Sequence, residues 1–354
     1  MTQKKQHILW LTPGFAADEG DTSCIPPLQD LALQFADSGY KLTIVSLHYP
    51  FAKKTFSWNG VPVFCIGGKN KRGIKKIATY FQAWKLLKNI HKQDPIHIIH
   101  SFWIGDTSLI AQYFCKINNI RQITTIMGQD ALGNNYFSWS WFKKMQLVSL
   151  TEQAETFFKN KANLKTGLIP FGMNSKFIAD AKPKTIDLLS VGSIIPLKNH
   201  LRFLTLVAKL KPVFPSISCL IIGEQHDKAY LSLMQTFITH HELANNVKLL
   251  NSIPREKVMQ YMAASKCLVH VSLYESEGMV MLEALAHGCK VFSGGNGVIV
   301  SDPLFTILPK STDEQIAMLT EALRNNAFPP SCIPYTIENT FSNYCMLYQN
   351  ENGV

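Results

Sequence analysis

Short apolar runs alternate with longer stretches of helical period along almost the whole chain. Ile8–Thr12, Lys41–Leu47, Val61–Ile66, His97–Ser101, Gln122–Met127, Met145–Leu150 and Thr166–Ile169 read as strands. Between most of them, Cys24–Ser38, Ile74–His91, Asp106–Ile117 and Thr151–Lys159 carry the pattern of helices. A second series has strands at Ile186–Val191, Ile217–Ile222, Val247–Leu250, Cys267–Val271 and Lys290–Ser293. Its helices are His200–Leu210, Lys228–His240, Arg255–Ala264 and Met279–His287. Regular β/α alternation predicts an α/β protein with doubly wound parallel sheets.

The two series part at a polar, Pro/Gly-punctuated passage from Pro170-Phe-Gly-Met-Asn174 to Lys182-Pro-Lys184. The expected organisation is a first domain over 1–172, a linker over 173–185 and a second domain over 186–330. Beyond Ser311, Asp313–Asn325 and Tyr335–Gln349 read as helices separated by the Pro-rich 328–334. That rigid passage predicts a crossing segment, with 331–354 packing back on the first domain. A chain of 354 residues that is 46% hydrophobic can fill two such cores.

No apolar run approaches the roughly 20 residues that span a bilayer, and the start lacks a secretory core. Eight cysteines without Cys-x-x-Cys spacing fit reduced thiols, and the expected location is cytoplasmic. Charge is divided unevenly. Residues 1–170 hold 20 Lys+Arg against 10 Asp+Glu, and the remainder is balanced at 15 and 15, so the first half carries the whole excess.

The most informative stretch is Leu273-Tyr-Glu-Ser-Glu-Gly-Met-Val-Met-Leu-Glu283. A strand, a turn and a helix in that order put Glu275 in the turn and Glu283 one helical turn further on. Both carboxylates can then face the crevice at the carboxyl end of a parallel sheet, where open α/β sheets bind ligands. Gly278 permits close backbone approach, and the N–H groups of Met279 and Val280 favour an anion. Acids at a helix start also complement the helix dipole with no ligand involved, so spacing alone leaves both readings open.

The context of that stretch resembles the retaining GT-B glycosyltransferases of glycosyltransferase family 4, the glycosyl transferases group 1, which carry a Glu-x7-Glu motif. Leu189-Ser-Val-Gly-Ser-Ile-Ile-Pro-Leu-Lys-Asn-His200, Cys219-Leu-Ile-Ile-Gly-Glu224 and Asn246-Val-Lys-Leu-Leu-Asn-Ser-Ile-Pro-Arg-Glu256 precede it in family order, and Gly294-Gly-Asn-Gly297 follows. The first half matches more weakly, through Leu11-Thr-Pro-Gly-Phe15, Asp18-Glu-Gly20, Ile98-Ile-His-Ser101, Met127-Gly-Gln-Asp130 and Leu168-Ile-Pro-Phe-Gly-Met-Asn174. The resemblance implies a GT-B fold, two Rossmann-like domains facing across an interdomain cleft.

It also implies roles. Lys198 would neutralise charge on the departing diphosphate, favouring the transition state; otherwise it is a solvated lysine at a helix start. Glu283 would hold the ribose hydroxyls, and Glu275 the donor sugar near its reacting carbon. Gly20, with Gly14 as the lesser candidate, and Gly223 would let loops approach the donor. Ser193 stands where most members carry arginine, with Asn199 and His200 available to compensate. Glu277 replaces a usual aromatic residue and reads equally as a solvated turn residue. Met127 stands where many members place a sugar-contacting histidine. Asp130 is the nearest polar candidate for catalysis at sugar or acceptor, or else a helix cap. His100 reads either as an acceptor-side residue or as a packing histidine.

No His/Cys/Asp cluster has metal-ligand spacing, and the resemblance implies neither metal nor other cofactor. It implies transfer with retention of configuration. The basic Lys69-Asn-Lys-Arg-Gly-Ile-Lys-Lys76 runs into a helix bearing Tyr80, Phe81, Trp84, Leu86 and Leu87. This helix either rests on an anionic membrane, giving a peripheral position on its inner face, or packs its aromatic side on its own sheet. No nucleic-acid module accompanies the charge. The expected function is a metal-independent hexosyltransferase using a nucleoside-diphosphate sugar and a saccharide or lipid-linked acceptor in surface-glycan or polysaccharide biosynthesis. A degenerate protein that binds the nucleotide sugar without turnover is the alternative. A nicotinamide oxidoreductase would need Gly-x-Gly-x-x-Gly after the first strand, which Leu11–Gly20 does not supply.

Overall fold

The computed structural model describes residues 6–71, 73–128, 130, 142–143, 145–325 and 330–350. Arg72 of the basic stretch and residues 328–329 of the Pro-rich passage lie outside them. The chain divides into two compact units, residues 1–172 with 337–354, and 173–336.

The first unit is built on a sheet of eight strands among the described residues: β1 His7–Gly14, β2 Lys41–Tyr49, β3 Lys54–Trp58, β4 Val61–Cys65, β5 Ile98–Phe102, β6 Arg121–Thr125, β7 Gln146–Ser149 and β8 Thr166–Leu168. They lie in the order β3-β4-β2-β1-β5-β6-β7-β8, parallel throughout except at the β3–β4 edge. Helices α1 Pro26–Asp37, α2 Ile74–Gln93, α3 Asp106–Asn118 and α4 Glu152–Ala162 connect them. The apolar pattern does not predict β3, whose residues alternate between partly covered and exposed up to the buried Trp58. Its signal lay in Asn59-Gly60, which turns with φ of 45° and 81°, as a two-residue hairpin requires.

The second unit has six parallel strands among the described residues: β9 Ile186–Val191, β10 Cys219–Ile222, β11 Val247–Leu250, β12 Ser265–His270, β13 Lys290–Ser293 and β14 Phe305–Ile307. Their order is β11-β10-β9-β12-β13-β14, so the chain reverses direction of winding beside β9. Helices α5 His200–Leu210, α6 Lys228–His240, α7 Arg255–Ala263, α8 Met279–Ala286 and α9 Thr312–Arg324 alternate with the strands. Two apolar clusters fill this unit. Phe203, Val207 and Met234 are in one, and Met259, Met281 and Leu285 in the other.

The passage read as a linker over 173–185 belongs to this second unit. Met173 is buried in its core and pairs with Thr336. The Ala179 N–H donates to His287 Nε2 at 2.9 Å, and Lys184 Nζ donates to the His287 carbonyl at 3.0 Å. Polar, Pro-punctuated composition marked a break in periodicity here, not a free connection.

The last helix, α10 Ile337–Gln349, packs on α1 in the first unit. It is locked by hydrogen bonds rather than by apolar contact alone. Trp10 Nε1 donates to Tyr348 Oη at 3.1 Å, so the Tyr348 proton goes to His100 Nδ1 at 2.6 Å. His100 Nε2 then donates to Thr125 Oγ1 at 2.8 Å, 2.9 Å from Tyr344 Oη. Arg121 donates to the carbonyls of Leu347 and Tyr348. Replacing Tyr348 with Phe should leave two buried partners unsatisfied and cost about 1–3 kcal/mol of stability, measured by urea unfolding. A loss near zero would mean that α10 is held by packing alone.

Candidate functional site

Parallel strands β9, β10 and β12 end at one edge of the second sheet, and the turns leaving them carry the chemistry. The β9–α5 turn begins at Gly192 and passes through a single 3-10 turn, Pro196–Lys198, before Asn199 adopts a left-handed conformation with φ 54°. This path folds the Lys198 stem back over Gly192, whose Cα-substituent would meet Lys198 Cγ and Cδ at 3.4 Å. The neighbouring β10 turn crosses it at contact distance. A Cβ on Gly223 would fall 1.8 Å from the Gly192 carbonyl oxygen, so no other residue fits there.

His200 fixes this turn from beneath. It is buried, with Nε2 at 3.2 Å from the carbonyl oxygens of both Gly192 and Ser193. Carbonyls only accept, so Nε2 carries the proton and Nδ1 accepts from Ser190 Oγ at 3.2 Å. Burial pushes the His200 pKa down to about 4, outweighing the two carbonyls that favour its charge. His200 is therefore a neutral brace. It cannot replace the charge that Ser193 lacks, which corrects the sequence expectation of compensation.

The β12–α8 turn is tied to the β9–α5 turn. The Leu197 carbonyl accepts from the Leu273 N–H at 2.8 Å and from the Ser272 hydroxyl at 3.1 Å. Glu275 and Lys198 are thereby brought together as an ion pair. The same carboxylate oxygen of Glu275 accepts from His270 Nε2 at 2.8 Å. Burial alone would raise the Glu275 pKa, but the His270 hydrogen bond and the Lys198 charge outweigh it and hold it down to about 2. The sequence motifs assign no role to His270. The signal was a lone imidazole closing an apolar strand five residues before the acid.

Gly278 enters α8 with φ 78° and ψ 52°, a left-handed conformation suited to glycine. At a helix start the first N–H groups have no intrahelical acceptor, which here concerns Met279 and Val280. Their side chains pack partly buried on the second-unit core. Glu283 lies within α8 and pairs with Arg255 Nη2 of α7 at 3.2 Å. The Arg255 guanidinium in turn lies 4.6 Å from the Phe177 ring centre. The sequence motifs assign no role to Arg255, whose pairing with Glu283 only the fold reveals. Glu277 is buried, and its carbonyl accepts from the Val298 N–H at 2.7 Å, so the solvated-turn reading does not hold.

In the first unit, Gly20 sits exposed in a turn where its N–H donates to Asp18 Oδ1 at 3.0 Å. Gly14 ends β1 and is buried. Asp21 organises this loop, accepting from the Ala17 N–H at 2.9 Å and from Tyr49 Oη at 2.9 Å.

Two assignments need correction. Asp130 accepts through Oδ2 from the N–H groups of Ile104 and Met127, at 2.8 and 3.3 Å, and through Oδ1 from that of Gly128 at 2.6 Å. Burial pushes it up to about 6 against those N–H groups. A carboxylate so enclosed braces its loop and is not placed as a catalytic group. His100 is 0% exposed inside the α10 network, and burial takes its pKa down to about 3. It is a packing histidine, not an acceptor-side one. Met127 is buried. Among the described residues, no group of three or more His, Cys, Asp or Glu is placed to hold a metal.

The family model for glycosyl transferases group 1 matches residues 174–338. The chain is 24% identical over 229 residues to the phosphatidylinositol N-acetylglucosaminyltransferase GPI3 subunit of Saccharomyces cerevisiae, covering 58% of this chain and 50% of that protein. It thus spans about half the length of the curated relatives it matches. Sucrose-phosphate synthase from Thermosynechococcus elongatus superposes with a TM-score of 0.76 at 14% identity, covering 97% of this chain and 98% of that one. HepE of Anabaena in complex with UDP and glucose gives 0.70 at 13%, covering 96% and 99%. Likeness at these identities establishes the fold, the two-domain α/β architecture known as GT-B.

Two outcomes follow from this geometry. Gly223→Ala should cost about 3 kcal/mol or more, read from urea unfolding, because backbone must move to admit the methyl. An unperturbed midpoint would contradict the crossing of the two turns. Glu275 contributes stability that is complete above its ordinary pKa of 4.5 and is lost as pH falls through about 2. Wild type should therefore melt above Glu275→Gln at neutral pH, with the gap closing as pH falls from 4.5 towards 2. A gap independent of pH would show that the ion pair does not hold Glu275 ionised.

Proposed function

We propose that this chain is a glycosyltransferase that moves a hexose from a nucleoside-diphosphate sugar to a saccharide or lipid-linked acceptor, with retention and without a metal. The observation that carries this reading is the Lys198–Glu275–His270 cluster beside the start of α8, within the matched domain. In the proposed reaction the bond between the anomeric carbon and the diphosphate oxygen breaks. An acceptor hydroxyl oxygen bonds to that carbon on the same face, and its proton passes to the departing diphosphate. Lys198 and the N–H groups of Met279 and Val280 stabilise the charge that develops there.

Glu275 accepts from hydroxyls of the donor sugar. His270, hydrogen-bonded to Glu275 at 2.8 Å, acts as a positioning residue that keeps the carboxylate aimed. Glu283 accepts from the ribose diol; a carboxylate offers about four acceptor sites, so one Arg255 bond leaves room. Ser193 donates one neutral hydrogen bond to the diphosphate. The GPI3 name describes transfer to a phosphatidylinositol acceptor in that protein, and this supports the lipid-linked option here. The HepE structures hold UDP, UDP-glucose, or UDP and glucose, which makes uridine diphosphate sugars the first donors to test. Ser193 in place of a cation supports a second reading, a protein that binds the nucleotide sugar without turning it over.

Thermal-shift screening with uridine, guanosine and adenosine diphosphates and their sugars tests the donor class. One nucleotide should raise the melting temperature selectively, and Glu283→Ala should weaken that binding about tenfold or more. Donor hydrolysis or transfer by the purified chain then separates the two readings. Binding without turnover across donors and acceptors favours the second, and the absence of any nucleotide effect removes both.

A further inference from the structure

Helix α2 has two apolar faces, and the fold uses one of them. Thr79, Ala83, Leu87 and Ile90 are buried, with Tyr80, Trp84 and Leu86 packed beside them on the first-unit core. The opposite face opens with Ile74, Ile77 and Phe81, which are 86%, 62% and 69% exposed. Spacings of three and four residues put these side chains on one stripe. The same stripe continues through Lys85, Lys88 and Lys92, four, seven and eleven residues beyond Phe81. Lys69, Lys71 and Lys75, all exposed, surround the helix start. Lys76 faces inward, paired with Asp106 at 2.6 Å.

Along the chain segment that carries this stripe the charge has one sign. Between Ser38 and Gln93 the chain holds eleven lysines and arginines and neither aspartate nor glutamate. We propose that the outer face of α2 is a docking surface for an anionic lipid bilayer. Ile74, Ile77 and Phe81 enter the boundary between headgroups and acyl chains while the lysines meet lipid phosphates. The helix lies on the membrane: no helix among the described residues is long and apolar enough to cross one. A second copy of the chain is a poor occupant, because a two-fold contact would bring this cationic face against itself. An anionic polymer would match the lysines but leave the apolar stripe in water.

This inference stands on the first unit and needs no sugar donor, so its failure and that of the transferase reading are separate results. The test is co-sedimentation of the full chain with vesicles of phosphatidylcholine and phosphatidylglycerol in equal parts, against pure phosphatidylcholine, at low and high salt. Wild type should bind the anionic vesicles at low salt and be released by high salt. Ile77→Ser/Phe81→Ser and Lys71→Gln/Lys75→Gln should each partition about tenfold less or weaker still, with unchanged melting temperatures. The proposal is overturned if wild type stays in solution with anionic vesicles, or if the apolar pair of substitutions leaves partition unchanged. It is equally overturned if sedimentation reveals a dimer that Phe81→Ser dissociates.

Discussion

The candidate site depends on holding a lysine and a glutamate against each other where water is scarce. The Lys198 and Glu275 side chains are 23% and 10% exposed, so each would suffer desolvation without the other. Their meeting is a backbone achievement. Glycine at 223 lets two βα turns cross at contact distance, the left-handed Asn199 turns the chain into α5, and the Leu197 carbonyl clamps the third turn alongside. His270 supplies a second donor to the same carboxylate oxygen. The result is an ammonium held beside a helix start before any ligand arrives, which is the kind of preorganisation that electrostatic catalysis requires.

The α/β alternation was legible because strands and helices differ in period, and β9, β13, α5 and α6 fall where the pattern puts them. Two short edge strands were not. β3 is half-exposed, and β14 spans three residues between Pro303 and Pro309. Loop acids and strand histidines were the hard cases. Asp130 and His100 look like site residues because they are polar within recognisable motifs. Whether such a group meets a ligand or its own backbone is decided by chains distant in sequence: Ile104 for the first, Tyr348 for the second. The same uncertainty worked in reverse for His270 and Arg255, whose partners Glu275 and Glu283 were evident while they were not.

The two units use polar groups in different ways. In the first, a chain of donors from Trp10 through Tyr348, His100 and Thr125 is closed off from water and fastens α10 to the sheet. In the second, the polar groups of the turns stay near the sheet's carboxyl edge, some of them only partly covered. Helix α2 lies between these extremes, with one face settled in the core and the other set out with isoleucine, phenylalanine and lysine.

The Lys198 ammonium is proposed to stabilise charge that appears only as the sugar–diphosphate bond breaks. Single-turnover kinetics of Lys198→Ala, with donor affinity measured in parallel on the same preparation, address it most directly. The bond-breaking rate should fall roughly 100-fold or more with a much smaller change in donor affinity. A rate equal to that of wild type, or a loss confined to affinity, would contradict it.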